Sequence, residues 1–399
     1  MLRIGLIREG KNPPDNRVAL TPSQCKWIQE NLNHIKITVQ SSPSRCYTDK
    51  EYANAGIEVS ESIENCDILF GIKEVPTDQL IPNKTYFFFS HTKKAQAHNQ
   101  PLMKAMVSKN ITLVDYECLT HEDGQRIIGF GFFAGIVGAH NGMMCYGERT
   151  GAFKLGRVKD VRDYRQLIHT YFGLKIPAIK IAVTGSGRVA HGILEIMNLL
   201  GIHEVEPFDY LHRTYTYPVY VHLKGRDLYE RKDDHTYNRA DFHEHPEKYG
   251  CNFSPFTRQT DILMNGVYWD KNIPPLFTID EFKNPSFKIQ TIADITNDEN
   301  GSVPVNKGDS TINDPVYGVD KSTLQKTSPY LKDSVDIMAI GNLPNELPRD
   351  ASRYFGEQLM KFVLQELGKK DSDLLNRATI LSNGNLTEPY QYLKSYAEG

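Results

Sequence analysis

One junction constrains the fold of this chain more than any other feature. Ile179 to Thr184 reads as an apolar strand, it runs straight into Gly185-Ser186-Gly187-Arg188-Val189-Ala190, and a helical pattern follows from Ile193 to Leu200. Each small residue in such a turn has a physical job. The first glycine allows the tight turn, the second lets the backbone approach a pyrophosphate, and the third small residue, here Ala190, lets helix and strand pack closely. The free amides of the helix start then face the phosphates. The junction predicts an α/β domain that binds a dinucleotide, with Gly185, Ser186, Gly187, Arg188 and Val189 at the phosphates. A purely structural turn is the competing reading, and the clear strand before it and helix after it favour the nucleotide.

In such a unit the second strand ends roughly 20 residues past the first glycine, where an acid holds the ribose hydroxyls of NAD. His203-Glu204-Val205-Glu206-Pro207 lies there, which makes Glu206 the candidate. His212, Arg213, Lys224 and Arg226 follow and would suit the extra phosphate of NADP. Between 208 and 250 the regular alternation breaks into a stretch holding five of the 13 histidines, which reads as an insertion. The His243-Glu244-His245 cluster inside it lacks a third ligand at a metal-type spacing, so no metal is expected. Strand patterns resume at Ile262 to Met264, Thr291 to Ala293 and Asp336 to Ala339.

Residues 1 to about 130 alternate short β-branched or aromatic runs with amphipathic stretches, the pattern of βαβ units and a largely parallel sheet. Strands are expected at Arg3 to Ile7, Ile35 to Gln40, Ile68 to Ile72, Tyr86 to Phe89 and Thr112 to Val114, with helices at Ser23 to Asn31 and Ala95 to Lys109. The small-residue segment Gly129 to Gly142 is expected to hold the connector between domains. After Pro344 and Pro348, the spacing of Tyr354, Phe355, Leu359, Phe362, Val363 and Leu367 predicts an amphipathic helix that folds back on the first block. The division expected is a substrate domain, 1–138 completed by 345–399, and a nucleotide domain, 139–344.

Charge excludes some functions. Lys plus Arg number 46 against 49 Asp plus Glu, a net of −3 with no basic block, which argues against binding nucleic acid or an anionic membrane surface. The longest nearly unbroken apolar run, Ile127 to Ala139, has 13 residues, short of the roughly 20 that cross a bilayer. The N-terminus lacks a secretory pattern, and six cysteines without metal-type spacing fit reduced thiols, so a cytoplasmic location is expected.

Several ionisable residues fall at strand ends, where an α/β sheet places its ligand crevice. Lys73 follows Ile68 to Ile72, His91 follows Phe87-Phe88-Phe89-Ser90, and Arg17 stands in Asn-Arg-Val-Ala-Leu-Thr-Pro before a helix. Singly, each reads as a solvated loop charge. Together, a Lys and a His near a nicotinamide suit amine oxidation or imine reduction, because both exchange protons near neutral pH when partly buried.

These residues carry a resemblance. Lys84-Thr-Tyr-Phe-Phe-Phe-Ser-His91-Thr-Lys-Lys94-Ala-Gln96, Asp115-Tyr-Glu117, Phe130-Gly131, Ala134-Gly135, Thr184-Gly-Ser-Gly187, Asn265-Gly-Val-Tyr-Trp269, Asp294-Ile-Thr-Asn-Asp298, Asn342-Leu-Pro344 and Ser382-Asn-Gly384 resemble the lysine:2-oxoglutarate reductase half of aminoadipic semialdehyde synthase. The chain is more distantly similar to lysine-forming saccharopine dehydrogenase, alanine dehydrogenase and transhydrogenase subunits. The resemblance implies two Rossmann-like domains with parallel-rich sheets and a cleft between them. It implies a reaction joining the ε-amine of lysine to the carbonyl of 2-oxoglutarate, with reduction of the imine to saccharopine, or the reverse. Lys73 and His91 would transfer protons, with Glu74 and Glu117 tuning them. Arg17, Lys94, Gln96, Glu117, Arg126 and Phe130 would lie at the substrate, and Asn265 and Asp298 at the cofactor. The resemblance favours NADP, NAD remains open, and the chain is expected as a monomer or homodimer. Because the sequence ends at Gly399, the glutamate-releasing module is expected on another polypeptide or not at all. Oxidative deamination of a small amino acid, as in alanine dehydrogenase, and a non-catalytic nucleotide-binding module are the alternatives.

Overall fold

Parallel strands that are apolar on both faces need helices over each face, and the computed structural model shows this twice. It describes residues 1–369 and 371–399. The chain divides into two units, one formed by 1–130 with 348–399 and the other by 131–347. Each is built on an eight-stranded sheet.

Across the first sheet the strands run Asn385–Leu386, Thr379–Ser382, Thr112–Asp115, Thr85–Phe88, Ile68–Phe70, Leu2–Leu6, Ile35–Gln40 and Glu58–Ser60. The last six pair in parallel. Leu69 and Phe70, like Phe87 and Phe88, point to opposite faces and are fully or almost fully buried, so both faces are covered. Strand order reverses at Leu2–Leu6, which has the strand that follows it on one side and Ile68–Phe70 on the other. The crevice of an open α/β sheet forms at such a switch point, beyond the carboxyl ends of the strands.

Thr21 sets where the first helix begins. Its hydroxyl accepts from the Gln24 amide, the Gln24 side chain answers with a bond from the Thr21 amide, and Pro22 opens the helix Pro22–Asn31. The same Gln24 donates to the carbonyl of Arg353 at 2.8 Å, while Ser352 accepts from the Val18 amide at 2.9 Å. These bonds hold 348–399 in the first unit. The C-terminal helix expected from periodicity is Pro348–Gln358 followed by a wider π-helical turn, Leu359–Val363. Beyond it the chain supplies two antiparallel strands to the sheet, which the periodicity did not predict.

The second sheet runs Lys326–Thr327, Val316–Asp320, Ser334–Met338, Thr291–Asp294, Ile262–Asn265, Lys180–Thr184, Val219–Leu223 and His203–Glu204. Its switch point is Lys180–Thr184, paired in parallel with Ile262–Asn265 and with Val219–Leu223. This corrects the insertion expected at 208–250. Val219–Leu223 is a buried strand of the sheet itself, and only the outer part, with the small hairpin Tyr229–Arg231 and Tyr249–Cys251, stands apart from it.

The segment Gly129 to Gly142, expected as a connector, mostly lies in the 20-residue helix Gly131–Thr150. Its small residues admit close packing within the second unit. A Cβ on Gly135 would come within 2.0 Å of the Val189 carbonyl, and one on Gly192 within 2.0 Å of the Phe132 carbonyl. Among the described residues, no helix is long and apolar enough to cross a membrane.

Candidate active site

Four neighbouring strands of the first unit end in chemistry-bearing residues. Leu2–Leu6 leads to Glu9, Lys11, Asp15 and Arg17, Ile68–Phe70 to Lys73 and Glu74, Thr85–Phe88 to His91, and Thr112–Asp115 to Glu117. Parallel register brings these ends to one edge.

Glu74 is the hub. Its carboxylate accepts from His91 Nδ1 at 2.6 Å and from Lys11 Nζ at 2.8 Å. Burial opposes its ionisation, yet these two partners outweigh it and hold the carboxyl down at about 2. With Nδ1 so engaged, His91 Nε2 makes no hydrogen bond among the described residues. His91 sits at φ +53, a left-handed conformation uncommon outside glycine, so its backbone is held against its local preference.

Lys73, the next residue along, contrasts with Glu74. Its ammonium forms no hydrogen bond or ion pair among the described residues. Burial and then the nearby Arg17 push its pKa down, while Glu74 pulls it up. A softened amine without a fixed partner is able to take and give protons.

Arg17 is nearly inaccessible, 3% exposed, and its Nε and Nη2 edge is gripped by Asp15, with Nε to Oδ1 at 2.9 Å and Nη2 to Oδ2 at 2.5 Å. Its guanidinium lies 4.2 Å from the centre of the Phe130 ring, which stacks on Phe355 at 4.6 Å. That carboxylate-binding edge is therefore taken within the chain. Arg126 is more open, 45% exposed, and pairs with Glu117 at 2.7 Å. Asp115 behind them is buried and its pKa is raised by that burial, while it accepts from the Ser90 hydroxyl and the Glu117 amide. Lys94 and Gln96 do not join this group. They are exposed on the loop after His91, and neither side chain makes a hydrogen bond or ion pair among the described residues.

In the second unit, Gly185 turns at φ +107, and a Cβ there would meet the Gly266 carbonyl at 2.4 Å. Gly187 has open space where its Cβ would be, and no side chain caps the helix Arg188–Leu199 that follows. A helix start without a side-chain cap, with room beside Gly187 for an anion, fits a pyrophosphate. Asn265 is a buried hub: it accepts from Thr184 Oγ1 at 2.8 Å and donates to Asp294 at 2.9 Å and Ser302 at 2.8 Å. Burial raises Asp294 to about 6. Asp298 stands exposed on the loop beyond.

Glu206 lies elsewhere than the sequence suggested. It follows His203–Glu204, the edge strand, whereas Val219–Leu223 adjoins the glycine-loop strand. Its end carries Lys224, Arg226 and Asp227. Next to the loop, His222 Nε2 bonds the Gly185 carbonyl at 2.7 Å, so that nitrogen carries the proton.

Cavities elsewhere do not compete with these positions. One of about 440 Å³ is lined by residues such as Arg149, Lys321 and Tyr330, and one of about 600 Å³ by residues such as His121, Phe362 and Arg377. No candidate residue lines either.

Residues 5–137 match the model of the alanine dehydrogenase/PNT N-terminal domain. Over 98% of its length the chain is 29% identical to alpha-aminoadipic semialdehyde synthase of Arabidopsis thaliana, covering 41% of that protein. It is 30% identical over 99% of its length to the mitochondrial alpha-aminoadipic semialdehyde synthase of Rattus norvegicus, covering 48%. The chain is similar to these synthases along nearly its whole length. It spans less than half of their length. Against the NAD(+), L-lysine-forming saccharopine dehydrogenase of Emericella nidulans the identity is 25%, over 94% of this chain and 96% of the other. Among solved structures, an L-alanine dehydrogenase aligns with TM-score 0.67 at 16% identity, over 99% of this chain and all of that one. The transhydrogenase from Sinorhizobium meliloti aligns with 0.59 at 13%, over 97% and 99%. The chain thus has the two-domain Rossmann architecture of alanine dehydrogenase, and the saccharopine dehydrogenase it is similar to is an oxidoreductase.

Glu9, Lys11 and Asp15 escaped the sequence reading, although applying the strand-end rule to Leu2–Leu6 would have flagged them. Their contacts join residues up to 64 positions apart, so local pattern carried no sign of the partners.

Proposed function

We propose that this chain is a pyridine-nucleotide-dependent oxidoreductase that condenses lysine with 2-oxoglutarate and reduces the imine to saccharopine, or runs that reaction in reverse. The observation that carries this reading is the pairing of an amine and an imidazole at adjoining strand ends. Lys73 is half-buried, softened and without a side-chain hydrogen bond or ion pair among the described residues, while His91 is anchored through Nδ1 to Glu74 and leaves Nε2 open. The likeness to the synthases along nearly the whole chain supports the choice of substrates.

Each group has a task that fits its surroundings. Attack of the ε-amine on the ketone gives a carbinolamine, and loss of its hydroxyl as water needs a proton, which His91 Nε2 is oriented to deliver. A reduced nicotinamide, held through Gly185 to Val189, would supply the hydride for the imine carbon. The nitrogen then needs a proton, and Lys73 is suited to give it because its own ammonium is destabilised. Glu74 keeps the imidazole oriented and supplies the negative charge that balances an imidazolium. Arg126 is the accessible guanidinium for a substrate carboxylate. Arg17, clamped by Asp15, contributes a fixed positive charge. Phe130, stacked against the Arg17 guanidinium, would border the same substrate.

For the cofactor, Gly185 to Val189 would hold the pyrophosphate. Lys224 and Arg226, at the end of the strand beside the loop, favour the additional phosphate of NADPH, and Asn265 and Asp298 would lie on the nicotinamide side. The full chain supplied with lysine, 2-oxoglutarate and NADPH should oxidise the nucleotide only when both substrates are present, with saccharopine detected by mass spectrometry. Absence of oxidation with both NADPH and NADH would sink the reading. Lys73→Met should lower turnover by two or more orders of magnitude while nucleotide affinity, read by fluorescence, stays within about twofold.

A further inference from the structure

Among the described residues the Lys73 side chain has no hydrogen-bond or ion-pair partner, so something else holds its position. The carboxylate of Glu9 accepts the Ile72 amide at 2.7 Å and the Lys73 amide at 2.9 Å, one oxygen to each. These residues lie just past the end of Ile68–Phe70, where pairing with the next strand runs on through the Gly71 amide to the Phe87 carbonyl at 2.9 Å and the Phe89 amide to the Ile72 carbonyl at 3.0 Å, and leaves the Ile72 and Lys73 amides to Glu9. Glu9 therefore supplies the hydrogen bonds that the edge of the ladder lacks at the catalytic lysine. A Cβ on Gly71 would meet Glu9 Oε1 at 3.5 Å, so the carboxylate lies close along this segment.

We propose that Glu9 is the positioning residue for Lys73, fixing its backbone through two amide bonds and coupling its charge to the carboxylate-binding end of the site. The assignment rests on the proton-transfer role of Lys73 argued above.

The charged surroundings of Glu9 come from three segments. Its own loop brings Asp15, a like charge, and Arg17, which opposes it. The turn after Ile68–Phe70 brings the two amides. The turn after Thr112–Asp115 brings Tyr116, whose buried hydroxyl has no hydrogen-bond partner and feels the charge of Glu9. Burial first, and Asp15 second, push Glu9 up to about 8 despite the amides and Arg17. The carboxyl thus changes charge within the working range of an imine reduction, one hydrogen bond away from the lysine that it places.

Glu9→Gln keeps the shape and one acceptor but cannot ionise or accept both amides. Glu9→Asp keeps the charge with a shorter reach. Two measurements on the full chain separate the possibilities. The first is the pH dependence of Lys73 acetylation by trace acetic anhydride, read by mass spectrometry, which needs no substrate. Removing a negative charge beside Lys73 should move its labelling curve to lower pH in Glu9→Gln, with Glu9→Asp closer to wild type. The second is turnover with lysine, 2-oxoglutarate and NADPH. Glu9→Gln should lower kcat at least about tenfold, as expected for a misplaced proton carrier, and move the alkaline limb of the pH profile to lower pH in step with the labelling curve, while the Kd for NADPH is unchanged. Identical labelling curves in all three proteins would overturn the proposal. If wild type labels as expected but turns over no lysine, the substrate reading fails and the positioning role stands.

Discussion

Substituting Gly185 and Gly187 one at a time separates folding from ligand binding in a single loop. At Gly185 an alanine faces two penalties. The backbone is at φ +107, outside the region open to other residues, which costs about 1–3 kcal/mol. Its Cβ would also fall 2.4 Å from the Gly266 carbonyl oxygen and 2.7 Å from the carbonyl carbon, so two backbones must move apart. Overpacking of that kind adds about 1–3 kcal/mol. Gly187 is different, since its φ of −91° and ψ of −167° are open to alanine and no atom lies within 4 Å of the added Cβ. Its fold penalty is the loss of a glycine N-cap, about 1 kcal/mol or less. The space the methyl would take is the space a pyrophosphate needs. Gly185→Ala should therefore lower the Tm of the second unit by about 5 °C or more and weaken NADPH binding at least about tenfold. Gly187→Ala should cost a few degrees at most and still weaken binding about tenfold. Calorimetry with fluorescence titration gives both numbers. Wild-type affinity in Gly187→Ala, or equal loss of stability in the two variants, would refute the assignment of this loop to the phosphates.

Three further outcomes are expected. Glu74 titrates at about 2 in the folded chain against an ordinary 4.5. A depressed carboxylate stabilises above its unfolded value and loses that contribution as pH falls. Wild type should therefore exceed Glu74→Gln by about 3 kcal/mol at pH 7, a gap in urea unfolding that closes between about pH 4.5 and 2, and a gap independent of pH would contradict the pairing. Lys224→Gln with Arg226→Gln should raise the KM for NADPH about tenfold and leave that for NADH nearly unchanged, whereas equal loss with both would move the 2′-phosphate site elsewhere. Gly135→Ala forces a methyl into the Val189 carbonyl and should destabilise the second unit by about 3 kcal/mol or more, detected as a drop in its melting transition with the first unit unaffected.

Part of the candidate site edge was legible because strand ends are local features. Lys73 and His91 each follow an apolar run, and parallel pairing sets their ends side by side, whereas Glu117 came only from the family resemblance. Arg17 was found by the same reasoning, but its grip by Asp15 depends on how the loop closes on itself, which no spacing records. Glu206 was misplaced for a comparable reason. Counting residues from the glycine turn assumes one helix and one strand, and the chain instead runs along the edge strand His203–Glu204 and the short helix Pro207–His212 before forming Val219–Leu223 beside the loop.

By itself the sequence determined the alternation of strand and helix, the tight turn at Gly185 and the small residues of Gly131–Thr150, since each follows from backbone sterics and periodicity within a short window. Tertiary structure decided the order of strands and every partner across them. Strands buried on both faces look alike in sequence, and which two lie side by side depends on packing across the whole sheet. That choice placed His222 against the Gly185 carbonyl and set the Glu9 carboxylate under the amide of Lys73.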